Sequence, residues 1–128
     1  MITLVDPSQV YVWWDEREPQ LALALRDTYH QSIDDLLHMC LQDQAQLWIG
    51  DKCTAVTVVL DGDPRILQIV AIGGNDIEQW INPLVAEWRA FAKRNHCAVM
   101  VATGRPGWKR VFNQFGFRVT KITGVCEV

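Results

Sequence analysis

The chain has 128 residues, of which 49% are hydrophobic and 21% are charged, and its formal net charge is −3. This length and composition are typical of one soluble globular domain, so we expect a single domain over residues 1–128. The negative charge argues against nucleic-acid binding driven by bulk charge, and no apolar run reaches the roughly 20 residues that a membrane-spanning helix needs.

The chain begins with a predicted short strand over residues 2–5. Asp6 follows as a helix cap, and Pro7 suits the first position of a helical turn because its missing N–H is not needed there. We therefore expect a short helical turn over residues 8–14.

A charged segment over residues 15–19 predicts a break before the next helix. Residues 19–29 carry leucines and alanines at helical spacing and predict that helix. Ser32 and Asp35 have the spacing of a capping box, with aspartate in place of the usual glutamate, so another helix is expected to begin there.

Three apolar runs separated by two turns follow and predict an antiparallel meander. Its strands are residues 46–50, Cys53–Leu60 and residues 65–72. Two glycines and Asn75 end the third strand.

A strongly amphipathic stretch runs from Ile77 to Ala92, with large apolar side chains at helical spacing. Pro83 interrupts it. Either the helix kinks at this proline, or Asn82 caps a second helix with Pro83 in its first position.

The last third of the chain predicts a buried strand over residues 98–103, a short helix and a final strand. Pro106 suits the first turn of the short helix, and Gly116 suits its C-terminal cap. The final strand is expected from residue 117 to about residue 125.

This order of elements indicates the fold class. The connection from the strand over residues 65–72 to the strand over residues 98–103 is long enough for a parallel crossover. We therefore expect an α/β (α+β) fold, with a mixed, mostly antiparallel central sheet, helices on both faces and one parallel crossover.

The N-terminus and the cysteines bear on the compartment. The N-terminus lacks the basic and apolar regions of a signal peptide, and the four cysteines form no CxxC pair. We expect a cytoplasmic protein without a disulfide framework. His38 with Cys40, and His96 with Cys97, lack further ligands at zinc spacing, so no metal site is expected.

The element order resembles the GNAT superfamily of N-acetyltransferases over nearly the whole chain, as does the Phe-Gly-Phe sequence of residues 115–117 after the short helix. The Gly-Arg-Pro-Gly-Trp sequence of residues 104–108 is also similar to the small GNAT-like proteins of tailed bacteriophages. The resemblance implies acetyl-coenzyme A (acetyl-CoA) as the one cofactor, lying between two parallel strands that diverge.

The resemblance also implies where the pyrophosphate of that cofactor would lie, at the start of the helix after the third meander strand. The implied cofactor contacts are Ile72, Gly73, Gly74, Asn75 and Arg105. The loop lacks the arginine or glutamine that opens the family signature, and Asp76 and Glu78 add negative charge. A plain helix start capped by Asp76 explains the same residues.

No catalytic residue is identified. In the family a tyrosine four residues before the Gly-Phe glycine often acts as the acid, but Phe112 occupies that position and has no proton to donate. The two predicted parallel strands offer only Gln68 and Thr103, and neither is a base near neutral pH. An acceptor amine that arrives already neutral would need neither group.

Aromatic and basic side chains are candidate contacts for a protein partner, because tryptophan and arginine often anchor interfaces. The candidates are Trp14, Arg105, Trp108 and Arg110. Arg110 and Lys109 also fit the solvent face of an amphipathic helix. Trp13 and Trp14 point about 100° apart on a helix, so one can cover the core while the other contacts a partner, or both can pack under a loop.

Two functions follow. The first is a GNAT-fold protein with degenerate acetyl-CoA and catalytic motifs, which binds a protein partner or itself in phage structure, assembly or host takeover, in the host cytoplasm or the virion. The alternative is an active acyl-CoA-dependent N-acetyltransferase of unknown acceptor. An opening between the two parallel strands favours the alternative, whereas a gap filled by Trp80, Trp108 or Phe112 favours the first function.

Overall fold

Strands and helices alternate along the described part of the chain, which comprises residues 1–25, 32–103, 109–116, 118–120 and 123–128 of a computed structural model. In chain order they are β1 (Thr3–Val5), α1 (Val10–Leu25), α2 (Ile33–Leu41), β2 (Gln46–Ile49), β3 (Cys53–Leu60), β4 (Ile66–Gly74), α3 (Ile81–Arg94), β5 (Val99–Thr103), α4 (Lys109–Asn113), β6 (Arg118–Thr120) and β7 (Thr123–Glu127). Single 3-10 turns at Pro7–Gln9 and Ile77–Gln79 precede α1 and α3.

The seven strands form one sheet in the order β1-β2-β3-β4-β5-β7-β6. Among the described strands only β4 and β5 pair in parallel, and the other neighbours are antiparallel. This arrangement confirms the expected mixed sheet and its one parallel crossover, which runs through α3.

The C-terminal segment differs from the expected single strand over residues 117–125. The chain forms two antiparallel strands, β6 and β7, and β7 inserts between β5 and β6. The β-branched residues on both sides of the reversal read as one run in the sequence, which explains the error. Residues 117, 121 and 122 lie outside the described residues.

Helices cover both faces of the sheet and bury two apolar cores. The α3-side core contains the buried face of α3 with Trp88 and Leu84, together with sheet residues such as Leu67 and Met100. The α1-side core contains buried residues of α1 and α2, packed on the opposite face of β2, β3 and β4. The expected placement of helices on both faces is confirmed.

The helix α1 corrects the predicted break over residues 15–19. It runs without interruption from Val10 to Leu25 and contains Pro19. Asp15, Glu16 and Pro19 are exposed and lie on the solvent side of one helix, whereas Arg17 is buried. The segment beyond residue 25 that was expected to complete a helix to residue 29 lies outside the described residues.

Two of the predicted helix starts are observed, and the start predicted around Pro83 is not. Asp6 caps the first 3-10 turn, and the Ser32–Asp35 capping box at the start of α2 is present, which confirms both predictions. Neither alternative for Pro83 is right, because α3 begins at Ile81 and Pro83 is its third residue. The first backbone N–H groups of a helix have no intrahelical acceptor, so proline is tolerated there.

A bulge divides β4. Val56 pairs with Ala71 and Thr57 pairs with Ile69, so Val70 is an extra residue on β4. The bulge lets Ile72 face the α3-side core together with Ile69, although three positions separate them. A bulge bends its strand and locally disrupts pairing. The bend lies at the point where the pairing of β4 with β5, on its other edge, stops.

None of the helices in the described residues is both long and apolar enough to cross a membrane.

Candidate functional site

The candidate site lies where β4 and β5 part. Their parallel pairing ends with Ile69 and Ala102, whereas β4 continues through residues 70–74. In that stretch β4 pairs with β3 on one side, and no described residue of β5 pairs with it on the other side. We call residues 70–74 the free β4 edge. Its unpaired backbone N–H and C=O groups are able to bond a ligand that carries amides.

The free β4 edge leads into a loop that is held by the turn between β2 and β3. The Asn75 backbone N–H donates to the Lys52 carbonyl at 3.0 Å, and the Lys52 ammonium lies 2.9 Å from an Asp76 carboxylate oxygen. The Trp80 indole N–H donates to the Asn75 carbonyl at 2.6 Å. These contacts hold the backbone of the loop and leave the Asn75 side chain exposed.

Asp76 does not act as the side-chain cap that the plain helix start requires. It precedes the 3-10 turn with a left-handed φ of 56°, but its side chain makes no cap hydrogen bond and pairs with Lys52 instead. The first turn of α3 contains no acidic residue. Lys52 therefore offsets part of the negative charge that Asp76 brings to this loop.

The two glycines at the end of β4 have a packing reason to be glycine. A Cβ atom on Gly73 would collide with the backbone carbonyl of Gln20 in α1. A Cβ atom on Gly74 would collide with the carbonyl of Lys52, and Gly74 also has a φ of +150°, which L side chains rarely adopt. Both residues belong to the ladder with β3, so β4 extends two residues further than predicted.

Side chains of α1 hold the β2–β3 turn that lies beside this loop. The Arg17 guanidinium is buried and donates to the carbonyls of Gly50 and Cys53 at 2.6 and 2.9 Å. The Thr54 hydroxyl donates to the Gln20 side-chain oxygen at 2.6 Å. Side chains of α1 therefore hold the start of β3, where Cys53 pairs with Gly74.

No acid or base for catalysis is found in the described part of the site. Phe112 is 4% exposed and belongs to the α3-side core, as does Trp80. Gln68 lies on β4 before the bulge, within the stretch that pairs with β5. Thr103 ends β5.

The structure separates the two neighbouring tryptophans of α1. Trp14 is 4% exposed and packs in the α1-side core, so it is not available as the partner contact that we expected. Trp13 is the half-buried member of the pair. The 100° between adjacent helical side chains predicts this division, but the side of α1 that faces the sheet decides which residue is buried.

Of the other predicted contacts, Ile72 is buried in the α3-side core and Arg110 is exposed on α4. Arg105 and Trp108 lie outside the described residues. Among the described residues no group of three or more potential ligands is placed to hold a metal ion.

Lys52 and Arg17 were not predicted to lie at or beside the site. The predicted meander could have placed Lys52 beside the loop, because in an antiparallel pair the start of β3 must lie beside the end of β4. Arg17 was read as part of a charged break, and nothing local distinguishes it from its exposed acidic neighbours.

Comparison with known proteins shows the fold. No family model and no curated protein sequence matches this chain. Solved structures do. An acetyltransferase of Bacillus subtilis in complex with CoA superposes with a TM-score of 0.69 at 15% identity, over 99% of this chain and 97% of the other. A GNAT family acetyltransferase of Elizabethkingia anophelis with acetyl-CoA bound has a TM-score of 0.65 at 16% identity, over 87% of this chain and 90% of the other.

A third similar structure is a chain of the AtaT–AtaR complex bound to DNA, with a TM-score of 0.66 at 11% identity over 99% of this chain and 93% of the other. The chain therefore has the GNAT acetyltransferase fold.

Proposed function

We propose, from this fold and the free β4 edge, that the chain binds a coenzyme A thioester between β4 and β5 and transfers its acyl group to an amine. The observation that carries the proposal is the end of β4–β5 pairing at Ile69 and Ala102, directly before the bulge at Val70. No described strand pairs with this edge over residues 70–74, and backbone N–H and C=O groups need hydrogen-bond partners.

The free β4 edge suits the chemistry of coenzyme A. The pantetheine arm carries two amides in an extended chain, so it can hydrogen-bond to a strand edge as a further strand would. At the start of α3, Ile81 and Asn82 keep their backbone N–H groups, whereas Pro83 has none, and Lys52 is the cation that holds the preceding loop. Ile72, Gly73, Gly74 and Asn75 stay the proposed contacts on this side, with Arg105 on the other.

The acyl transfer would depend on the protonation state of the acceptor amine more than on protein side chains. When bound, the thioester supplies an activated acyl group. Because the Phe112 side chain is buried and has no proton that it can donate, α4 offers no acid at that position. We therefore expect the acceptor amine to arrive neutral, and the rate to rise with pH through the pKa of that amine.

Thermal unfolding with acetyl-CoA tests this proposal. A ligand at 100 times its dissociation constant stabilises the folded state by roughly 2.7 kcal/mol, and calorimetry should then show binding. Asn75→Glu adds a negative charge to the exposed side chain next to the proposed pyrophosphate position and should weaken binding. Gln44→Glu adds the same charge at an exposed position before β2, at the other end of the sheet, and should leave binding unchanged.

Absence of a thermal shift together with absence of calorimetric heat would overturn the proposal. Gly74→Glu is unsuitable as a probe, because any side chain at that position collides with the Lys52 carbonyl and disturbs the fold itself.

A second candidate is a partner-binding protein with no chemistry, of the kind made by tailed phages, in the host cytoplasm or the virion. The burial of Phe112 and Trp80 in the α3-side core favours it, because both side chains then serve packing. A folded protein that shows no affinity for acetyl-CoA, yet forms a stable complex with a protein, would favour this candidate.

A further inference from the structure

The two ends of the free β4 edge differ in what they would hold. If the pyrophosphate lies by the loop after Gly74, as the proposed function requires, the pantetheine arm runs back along residues 70–74. Its thioester end then comes to the point where β4 and β5 part. That point is the pair Ile69–Ala102, and the pair before it is Gln68–Val101. An amine that attacks the thioester must reach this end of the opening.

The α3 face of the sheet is closed at this point. Leu67 and Ile69 of β4 and Met100 and Ala102 of β5 all belong to the α3-side core, and each is 2% exposed or less. Phe112 of α4 packs in the same core. An acceptor could not arrive through this face without displacing buried side chains.

The α1 face is open over β5. The α1-side core contains residues of β2, β3 and β4, but none of the described residues of β5 belongs to it. Because side chains alternate between the faces of a strand, Gln68 and Val101 lie on this face, and both are only half-buried. Val70, the bulge residue, is also half-buried on this side. The α1 face is therefore the side from which an acceptor can approach.

The Gln68 carboxamide has no hydrogen-bond partner among the described residues. Two other half-buried glutamines differ from it, because Gln20 and Gln46 accept hydrogen bonds from the hydroxyls of Thr54 and Thr57. The polar atoms of Gln68 are not sealed from solvent, so a ligand can reach them. A half-buried amide that the protein leaves unbonded is a group to which a ligand can hydrogen-bond.

The described neighbours of Gln68 on this face are apolar. Val58 of β3 and Val101 of β5 flank it in register, and Val70 lies on the same side two residues further along β4. None of these three side chains carries a charge. A charged group next to the reacting nitrogen would lose its water there without gaining a partner of opposite sign.

We infer, on the basis of the function proposed above, that Gln68 binds the acceptor amine and that the acceptor carries this amine on an uncharged, apolar group. The side-chain oxygen of Gln68 accepts a hydrogen bond from the neutral amine. The C–N bond forms as the C–S bond breaks, and the proton that the amine loses balances the proton that the departing thiolate takes up. A carboxamide does not take up this proton, so Gln68 orients the amine only.

Acyl transfer from acetyl-CoA to three amines tests the acceptor class. Benzylamine has no charged group besides its amine, aminomethylbenzoate adds a carboxylate to the same ring, and xylylenediamine adds a second ammonium. We expect kcat/KM for benzylamine to exceed kcat/KM for either charged analogue at least about tenfold.

Gln68→Met tests the role of the carboxamide, because it removes the amide at similar side-chain length. It should raise KM for benzylamine about tenfold and leave KM for acetyl-CoA unchanged. Gln46→Met is the matched control, because it makes the same change at a half-buried glutamine of β2 whose partner is Thr57. It should lower stability and leave both KM values unchanged.

Nuclear magnetic resonance of the isotope-labelled wild type gives a readout that needs no turnover and no variant. The side-chain NH₂ signals of Gln68, assigned through bonds, should shift when benzylamine is added in the presence of CoA. Those of Gln46 should not. If Gln68→Met fails to fold, this comparison decides the role of Gln68, and unshifted Gln68 signals would overturn it.

The outcomes distinguish the acceptor site from the cofactor site. A wild type that shows no acetyl-CoA binding in calorimetry would overturn the proposed function and the role of Gln68 together. A wild type that binds acetyl-CoA but transfers nothing to benzylamine, or prefers a charged analogue, would overturn the acceptor class alone. An unchanged benzylamine KM in a folded Gln68→Met variant would overturn the role of Gln68 and leave cofactor binding standing.

Discussion

Arg17 is a buried cation. Among the described residues the one carboxylate within 4.0 Å is that of the exposed Glu16, 4.0 Å from Nε, and Nε has no hydrogen-bond partner there. Backbone carbonyls of the β2–β3 turn satisfy Nη1 instead, and the guanidinium lies 5.8 Å from the centre of the Trp13 ring. A buried charge is tolerated when hydrogen bonds replace water, so Arg17 ties α1 to the sheet.

Arg17→Met should lower the free energy of unfolding by about 2–3 kcal/mol, because it leaves the carbonyls of Gly50 and Cys53 without their charged donor. Lys52→Met is the comparison, because Lys52 and Asp76 are both about half exposed and such pairs contribute about 1 kcal/mol or less. Urea unfolding of both variants measures the difference. Equal losses would contradict the role of Arg17.

Asp6 makes the start of the first helical turn sensitive to acid. Hydrogen bonds from the Ser8 hydroxyl and then from the Ser8 backbone N–H hold the pKa of this carboxyl below its usual value. Since the folded pKa is the lower one, the stabilising effect is complete above the unfolded pKa of 3.8 and is lost as pH falls through the folded pKa.

Asp6→Asn keeps a good cap but removes the charge. The wild type should be more stable than this variant at about pH 7, and the difference should shrink toward about pH 2. Chemical unfolding at both pH values measures it, with Ser8→Ala as the companion variant that weakens the pH dependence. A difference that stays constant with pH would disprove the assignment.

At the scale of elements, α1 shows what local sequence could and could not predict. The acidic residues and Pro19 indicated a break, because such residues often end helices. The tertiary contacts of Arg17, Gln20 and Leu21 with the sheet and core outweigh the one hydrogen bond that Pro19 removes. The hydrogen bonds of Arg17 and Gln20 join residues 33 to 36 positions apart, so no local pattern reports them.

The strands were easier to predict than the site. The bounds of β3 match the prediction because Cys53–Leu60 is an apolar run between turn residues. Gly73 and Gly74 read as a loop after the predicted strand over residues 65–72, yet their pairing with β3 makes them the end of β4. The parallel pairing stops directly before the bulge at Val70, and a bulge leaves no mark in a run of apolar residues.

Gly62 and Gly74 have nearly the same φ but different surroundings, so alanine substitutions at the two positions distinguish the cost of backbone strain from the cost of a steric collision. Gly62 has a φ of +151° and Gly74 one of +150°, but a Cβ on Gly62 would find its nearest contact at 3.5 Å, from the Pro64 carbonyl. Gly62→Ala should cost about 1–3 kcal/mol from the backbone conformation alone. Gly74→Ala should cost about 1–3 kcal/mol more, from the collision with the Lys52 carbonyl.

Thermal unfolding of the two glycine variants measures this difference. Equal destabilisation would mean that the β2–β3 turn can move away from β4, and the loop would then be less firmly held than its contacts indicate.

At the scale of the whole molecule, one sheet separates two apolar cores. Each core contains at least one buried free cysteine, whose reactivity shows when that core opens. Cys40 lies in the α1-side core, and Cys53, Cys97 and Cys126 lie in the α3-side core. Burial raises the pKa of the Cys40 thiol to about 12, so this thiol stays neutral and unreactive in the folded state.

If the two cores unfold as one unit, a thiol reagent at about pH 8 should label Cys40 and Cys126 of the native protein at the same slow rate. Mass spectrometry of labelled peptides over time measures both rates, and the urea-unfolded chain gives the reference in which all four thiols react. Faster labelling of Cys126 would show that the C-terminal strands open separately. Arg89, which donates to the Phe115 carbonyl at 2.5 Å and to the Cys126 sulfur at 3.1 Å, opposes that opening.

The extra residue in β4 has an evolutionary consequence. Deleting Val70 would leave Leu67, Ile69 and Ile72 on the same face as before, because Ile72 would then follow Ile69 at the ordinary strand spacing of two residues. We expect the shortened strand to be straighter and to lie closer to the end of β5. One residue of β4 would then decide how widely the centre of the sheet opens, while both cores keep their side chains.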